Sequence, residues 1–248
     1  MSDSGTGPVV DFWLVTYKKL DRIPSLLEQI RSCGIPYKIS VWDNSCDESV
    51  AERLSSLMHP EDTLYVSAQN LYCCGASQQL LERTSAPFIA YLCSIHTEIN
   101  RPSWIQDALD VLNSDPKMAL VGHVREQAGL YYYQSVATGQ PPSQKPIPDY
   151  LPLLEGHFDR MAIHEEANHH IHVQGGAWVA RRSALEQIGG FETTIKHLFL
   201  DVELAVRLQC YGWKLGQVPG VWSEQWAGSV TPNHREYSLC HYYRESGQ

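Results

Sequence analysis

Apolar positions along the first half of the chain alternate between two spacings. Val9 to Thr16 (VVDFWLVT) is a compact β-rich run that predicts a buried strand. Asp21 to Ser32 then places Ile23, Leu26, Leu27 and Ile30 on one helical face, and Gly34 is suited to end that helix. The same reading predicts strands at Tyr37 to Trp42, Thr63 to Val66, Pro87 to Cys93 and Met118 to Gly122. It predicts helices at Ser49 to Leu57, Ala76 to Arg83 and Trp104 to Leu112. An unbroken β-α alternation of this kind predicts a parallel sheet with helices on both faces.

The second half is less regular. Gly129 to Ile163 is rich in Pro, Tyr and Gln without a clear period, which predicts a long functional loop or lid. Ile171 to Val179 predicts a strand broken by a glycine pair. Ser183 to Ile188 predicts a short helix stopped by Gly189-Gly190. Leu200 to Tyr211 predicts an amphipathic helix ending at Gly212, and Lys214 to Val218 a last strand. The expectation is one α/β domain over residues 1–248, with residues 1–122 as a ligand-binding half and residues 123–248 as a second, irregular half.

Composition narrows the function. With 248 residues, 43% of them hydrophobic, the chain can bury one large core. Its net charge of −9 leaves no basic excess for gripping nucleic-acid phosphates or an anionic membrane. No apolar run reaches the length of a membrane span, and MSDSGTGPVV does not read as a signal peptide, so the cytosol is the expected compartment. Seven cysteines, an odd count without a C-x-x-C pair, suit free thiols with mostly buried packing roles.

Ligands of parallel α/β sheets bind beyond the carboxyl ends of the strands. That rule selects Thr16-Tyr17, Asp43-Asn44, Asn70, and Ser94 to Glu98. There is no P-loop, no G-x-G-x-x-G after the first strand and no G-x-S-x-G elbow. The run His164, His169, His170, His172 lacks the spacing of a zinc site, because His169 and His170 point apart on any regular element, and it reads as a polar loop. Arg181-Arg182 is a candidate contact for a diphosphate or an anionic acceptor, or else a solvated pair at a helix start.

Five segments in order resemble the inverting family 2 glycosyltransferases of the GT-A fold, especially rhamnosyltransferase-like members. Val15-Thr16-Tyr17-Lys18 is similar to their opening T-Y-N turn, and Val41 to Asp47 (VWDNSCD) to their V-D-N-x-S-x-D turn. Asn70 to Gln78 is similar to their N-x-G segment, with Tyr72 and Gln78 off pattern and Gly75 in the stretch. Gly175-Gly176-Ala177 through Gly190-Phe191-Glu192 resembles their G-G-A…G-G-F-D block, and Asp201-Val202-Glu203-Leu204 their E-D-V-D-L block.

The resemblance implies a GT-A, Rossmann-like fold and sugar transfer from a UDP- or dTDP-type nucleotide sugar to a glycan, glycolipid or small-molecule hydroxyl, with inversion. It implies donor contacts from Thr16, Tyr17, Asp43, Asn44, Asn70, Gly75, Ser94 and His96. Acceptor contacts would come from Gly175, Gly176, Ala177 and Glu203, and Asp201 would be the general base. Asp43-Asn44 also suits a plain Asx turn, and Asp201 a helix cap.

The metal motif departs from the family. Where the family carries D-x-D or N-P-D-T-E, this chain has Ser94-Ile95-His96-Thr97-Glu98, and Glu224 stands where the family has a histidine. Two alternatives follow. His96 and Glu224 share Mn²⁺ or Mg²⁺ with swapped ligand types, or the reaction is metal-independent and His96 donates directly to phosphate. Two other functions compete: a non-catalytic nucleotide-sugar-binding partner protein, and a sugar nucleotidyltransferase, which would need a glycine-rich loop that Val15 to Lys19 lacks.

Overall fold

The computed structural model describes residues 9–93, 97–99, 101–123, 173, 176–195, 200–218 and 221–223. In chain order these form β1 (Val10–Thr16), α1 (Ile23–Arg31), β2 (Tyr37–Asp43), α2 (Glu48–Ser55), β3 (Thr63–Val66), α3 (Tyr72–Leu81), β4 (Phe88–Cys93), β5 (Thr97–Ile99), α4 (Trp104–Ser114), β6 (Met118–His123), β7 (Ala177–Arg181), α5 (Arg182–Gln187), α6 (Leu200–Cys210), β8 (Lys214–Val218) and β9 (Val221–Ser223).

Seven strands make one sheet in the order β3-β2-β1-β4-β7-β6-β8. β1 pairs in parallel with β2 and β4, β2 with β3, and β6 with β8. β7 alone runs the other way, antiparallel to both β4 and β6. The expected parallel sheet is therefore mostly right. The correction is that β6 does not follow β4 directly, because the strand after the glycine pair slots between them.

Strand pleating divides the core into two layers. Phe12 and Leu14 of β1 face one layer with α1, α2 and α4, while Trp13 between them faces the other with α3, α5 and α6. The α1 face predicted from spacing is buried as Ile23, Leu26, Leu27 and Ile30. Each such side chain contributes roughly 1.5–3 kcal/mol on burial, and Leu27→Ala would cost about 2–5 kcal/mol. α1 starts with Pro24 in its first turn, where a missing N–H costs nothing, and gives way to Gly34 at φ +74°. α2 starts at the Asp47 cap, whose carboxylate accepts from the Ser49 amide at 2.9 Å and hydroxyl at 2.7 Å.

Two local expectations change. α3 begins at Tyr72 rather than Ala76, so Gly75 lies inside a helix rather than in a loop. The Asn70 side chain starts it by accepting the Tyr72 N–H at 2.8 Å. A two-stranded antiparallel ribbon, β5 with β9, was not expected; strands of three residues are too short to carry a period.

Candidate nucleotide-sugar site

The chain runs from β1 outward through β2 and β3, then returns to place β4 on the other side of β1. In sheets of this kind such a reversal opens a crevice beyond the carboxyl ends of the strands that flank it, here β1 and β4, and that is the usual ligand position. Around it the backbone is strained. The non-glycine residues with left-handed φ among the described residues are Lys18 (62°), Cys46 (54°) and Tyr72 (57°), and they follow β1, β2 and β3. Strain of this kind, about 1–3 kcal/mol per residue, persists where surrounding contacts enforce it, and it clusters at functional sites.

Asp43 closes β2 and is 0% exposed. Its Oδ1 accepts from the Thr16 hydroxyl at 3.2 Å and from the Ser45 amide at 2.9 Å. Oδ2 is buried with no hydrogen-bond partner among the described residues. The Asx turn accounts for Oδ1 through the Ser45 amide and leaves Oδ2 over. The strand ends are further laced by Asn44 N–H to the Thr16 carbonyl (3.0 Å), Ser67 N–H to the Asp43 carbonyl (3.0 Å) and Lys18 N–H to the Ser45 hydroxyl (2.7 Å).

Asn44 uses both ends of its side chain within the protein. Its oxygen accepts from the Trp42 indole (3.2 Å) and the Leu71 amide (3.0 Å), and its amide donates to the Tyr72 carbonyl (3.0 Å). It fixes the entry to α3, as Asn70 does at the same end through the Tyr72 N–H. Tyr17 is half-buried, and the Lys18 ammonium lies 5.2 Å from its ring centre.

The glycine block joins the same end of the sheet. Because β7 is antiparallel, its first residue, Ala177, pairs with Leu92 near the end of β4. The Gly176 carbonyl accepts from the Cys93 amide at 2.8 Å and from the Thr97 hydroxyl at 2.6 Å. One carbonyl thus fastens both flanks of residues 94–96. Ser94, His96, Gly175 and Glu224 lie outside the described residues, as do the Gly129 to Ile163 segment and the histidine run. The neighbours of the two expected metal ligands, Thr97 and Ser223, are a paired rung of the β5–β9 ribbon.

Behind β7, Tyr91 stacks on Trp178 (5.0 Å, 14°), and Phe191 lies 6.2 Å from both Trp178 and Trp13. The Tyr91 hydroxyl and Cys73 thiol sit 3.0 Å apart, and burial pushes that thiol up to about 12. Gln78, off the family pattern, accepts the Phe191 N–H at 2.9 Å. Gly190 has φ +82°, where any side chain is strained, and a Cβ there would displace the Gln78 carboxamide. Sequence spacing gave no sign of this 113-residue link.

Asp201 is half-buried and second in α6, inside the first turn rather than at the cap. Burial raises the thiols of Cys73 and Cys74, and the Asp201 charge adds a smaller push; Cys74 and Leu80 of α3 share a core layer with Leu204 and Leu208 of α6. Glu203 is held by Arg207 in a two-pronged ion pair at 2.7 and 3.0 Å, and Arg207 also donates to the Ile188 carbonyl at 2.8 Å. Burial pushes the Glu203 carboxyl up against the opposing pull of Arg207.

Two expectations are corrected. Arg181 pairs with Phe88 at the amino end of β4, and its guanidinium donates to the Met118 and Leu112 carbonyls. Arg182 pairs with Glu186 at 2.7 Å. The antiparallel course of β7 carries both away from the crevice, so neither is a diphosphate contact. The cysteines are also less buried than expected: Cys74 is buried, but Cys46 and Cys210 are exposed. Among the described residues no helix is long and apolar enough to cross a membrane, and no group of three His, Cys, Asp or Glu could hold a metal ion.

No protein-family model and no curated protein sequence matches the chain. Among solved structures it is similar to the mannosyltransferase PcManGT from Pyrobaculum calidifontis in complex with GDP-Man and Mn²⁺, with a TM-score of 0.63 and 16% identity. The likeness covers 86% of this chain and 55% of that one, so the chain spans about half the length of its neighbour. At that identity the likeness is one of fold: the chain has the Rossmann-like, mainly parallel glycosyltransferase fold, flanked by helices.

Proposed function

We propose that the protein transfers a sugar from a nucleoside-diphosphate sugar to a hydroxyl acceptor, with inversion. The observation that carries the reading is the Asp43 carboxylate, buried at the crevice of a glycosyltransferase fold with one oxygen tied down and the other without a partner. A single available acceptor suits the single N3–H of uracil or thymine. Guanine presents two adjacent donors and would want both oxygens, so the uridine or thymidine type is favoured even though the structural neighbour is in complex with GDP-Man.

In this reading Thr16 and Ser45 orient Asp43, and Tyr17 lines the base and ribose. Asn44 and Asn70 shape the wall, with Gly75 one turn into α3. Gly176 and Ala177 position the segment carrying Ser94 and His96, and with Gly175 they border the acceptor. Asp201 accepts the acceptor hydroxyl's proton as that oxygen attacks the sugar carbon, and the nucleoside diphosphate departs with the bonding pair. Glu203, locked to Arg207, steadies α6. An imidazole from His96 and a carboxylate from Glu224 would suit Mn²⁺ better than Mg²⁺, and an ion there would neutralise charge on the departing diphosphate. His96 donating directly to phosphate is the metal-free form of the same site.

Calorimetric titration with UDP, dTDP and GDP, each with Mn²⁺ and with chelator, tests the reading. Tighter binding of UDP or dTDP than GDP is expected. Equal or tighter GDP binding overturns the base assignment, and no nucleotide binding overturns the site. Donor turnover in the same samples separates an enzyme from a binding partner.

A further inference from the structure

The departing diphosphate carries negative charge, and the protein as a whole is acidic, at −9. A cation at the crevice would balance that charge, and several candidates are already engaged. Arg181 and Arg182 lie at the far end of the sheet, and Arg207 is locked to Glu203.

Lys18 is placed differently. It stands two residues beyond the end of β1, at the crevice, and is exposed. Its backbone is left-handed at φ 62°, a conformation costly for lysine, and the 2.7 Å bond from its N–H to the Ser45 hydroxyl holds it there. Ser45 in turn donates its amide to Asp43 Oδ1. One short network thus fixes both the carboxylate with the unpartnered oxygen and the lysine.

The ammonium itself is uncommitted among the described residues. It rests over the Tyr17 ring at 5.2 Å, and no described carboxylate lies within ion-pair distance. The carboxylate that feels its charge, Asp47, is already bonded to Ser49 at the start of α2.

We propose that Lys18 binds a phosphate oxygen of the nucleoside diphosphate while Asp43 receives its base. This rests on the nucleotide-site reading above. A lysine ammonium pairs with phosphate as a point charge and needs no metal.

The test compares UDP with uridine by titration in excess chelator, for the wild-type chain, Lys18→Asn and Lys18→Arg. Asn tolerates the left-handed backbone, so Lys18→Asn deletes the charge while leaving the turn, and its melting temperature verifies that. UDP affinity should fall about tenfold or more in Lys18→Asn, uridine affinity should hold within about twofold, and Lys18→Arg should restore most of the loss. Parallel losses for UDP and uridine, or an unchanged UDP affinity, overturn the assignment. A wild-type chain that binds uridine and UDP equally also overturns it, while leaving the base site standing. A wild-type chain that binds neither overturns the nucleotide site and Lys18 with it.

Discussion

Two aspartates in adjacent strands, both 0% exposed, sit at opposite ends of the sheet. Asp43 ends β2 at the carboxyl edge, with Oδ1 accepting two hydrogen bonds and left-handed residues close by at Lys18 and Cys46. Asp11 is second in β1 near the amino edge, paired in register with Lys38 and Ile89, and neither of its oxygens has a well-formed hydrogen bond. Burial raises the Asp11 carboxyl, against weaker opposing pulls from Thr84, Ser40, Lys38 and Trp13. Burial alone therefore does not mark a site. What separates the two is the end of the strand, the network that orients one carboxylate, and the strain that network sustains. If that contrast is correct, substitutions at the carboxyl edge change binding and turnover, while substitutions at the amino edge change stability alone.

The largest effect is expected at Asp201. A positioned carboxylate typically contributes about 10²–10⁴-fold to a step of this kind. Asp201→Asn should therefore bind donor normally and transfer sugar at least ~10²-fold more slowly. Its stability should change by only about 0.3–1 kcal/mol, the value of a first-turn charge at a helix start. Normal turnover with Asn would remove Asp201 as the base. Glu203 would then be a poor successor, since both its oxygens are held by Arg207.

The next effect sharpens the Asp43 half of the contrast. Asp43→Asn keeps an oxygen for Thr16 and Ser45 but puts an amide where the unpartnered oxygen was. Uridine or UDP binding should weaken by about 1.5–3 kcal/mol. Cytidine diphosphate, whose N3 is an acceptor, should gain relative to UDP. If both nucleotides bind as in the wild type, Asp43 does not read the base.

The fold was largely legible because most of the longer strands are compact apolar runs. Thr63 to Val66 and Lys214 to Val218 have the predicted bounds, and α1 buries the four residues its spacing selected. Asp43 was legible because it ends such a run. Strand direction was not: nothing in GGAWVARR says that β7 runs antiparallel, and that reversal is what moves Arg181 and Arg182 to the wrong end. Glu203 and Arg207 carried a readable signal, four residues apart on a predicted helix. The bond from Phe191 to Gln78 had none, being a contact made only when α3 and the glycine turn pack together. Asp11 was hidden in plain view, since its flanking Val and Phe residues made the whole run read as apolar.

The smallest effect is expected at Asp11, and its sign runs opposite to that of most carboxylates. A folded-state carboxyl raised above its ordinary value of 3.8 binds its proton more tightly than the unfolded chain does. The contribution of Asp11 is therefore most favourable below that ordinary value. It is lost as pH rises through the raised folded value, where ionising the buried group costs more than ionising it in water. Asp11→Asn is nearly the same size and cannot ionise. It should match the wild type in acid and surpass it at neutral pH, by about 2–4 °C in melting temperature for each kcal/mol recovered in a protein of this size. Nucleotide binding should be untouched, because the substitution lies at the edge away from the crevice. Melting curves from acid to neutral pH decide the matter. A neutral-pH loss of stability in Asp11→Asn would mean that the ionised carboxylate is held by partners after all. A loss of UDP affinity would mean that the two ends of the sheet are coupled, and the contrast between Asp43 and Asp11 would fail.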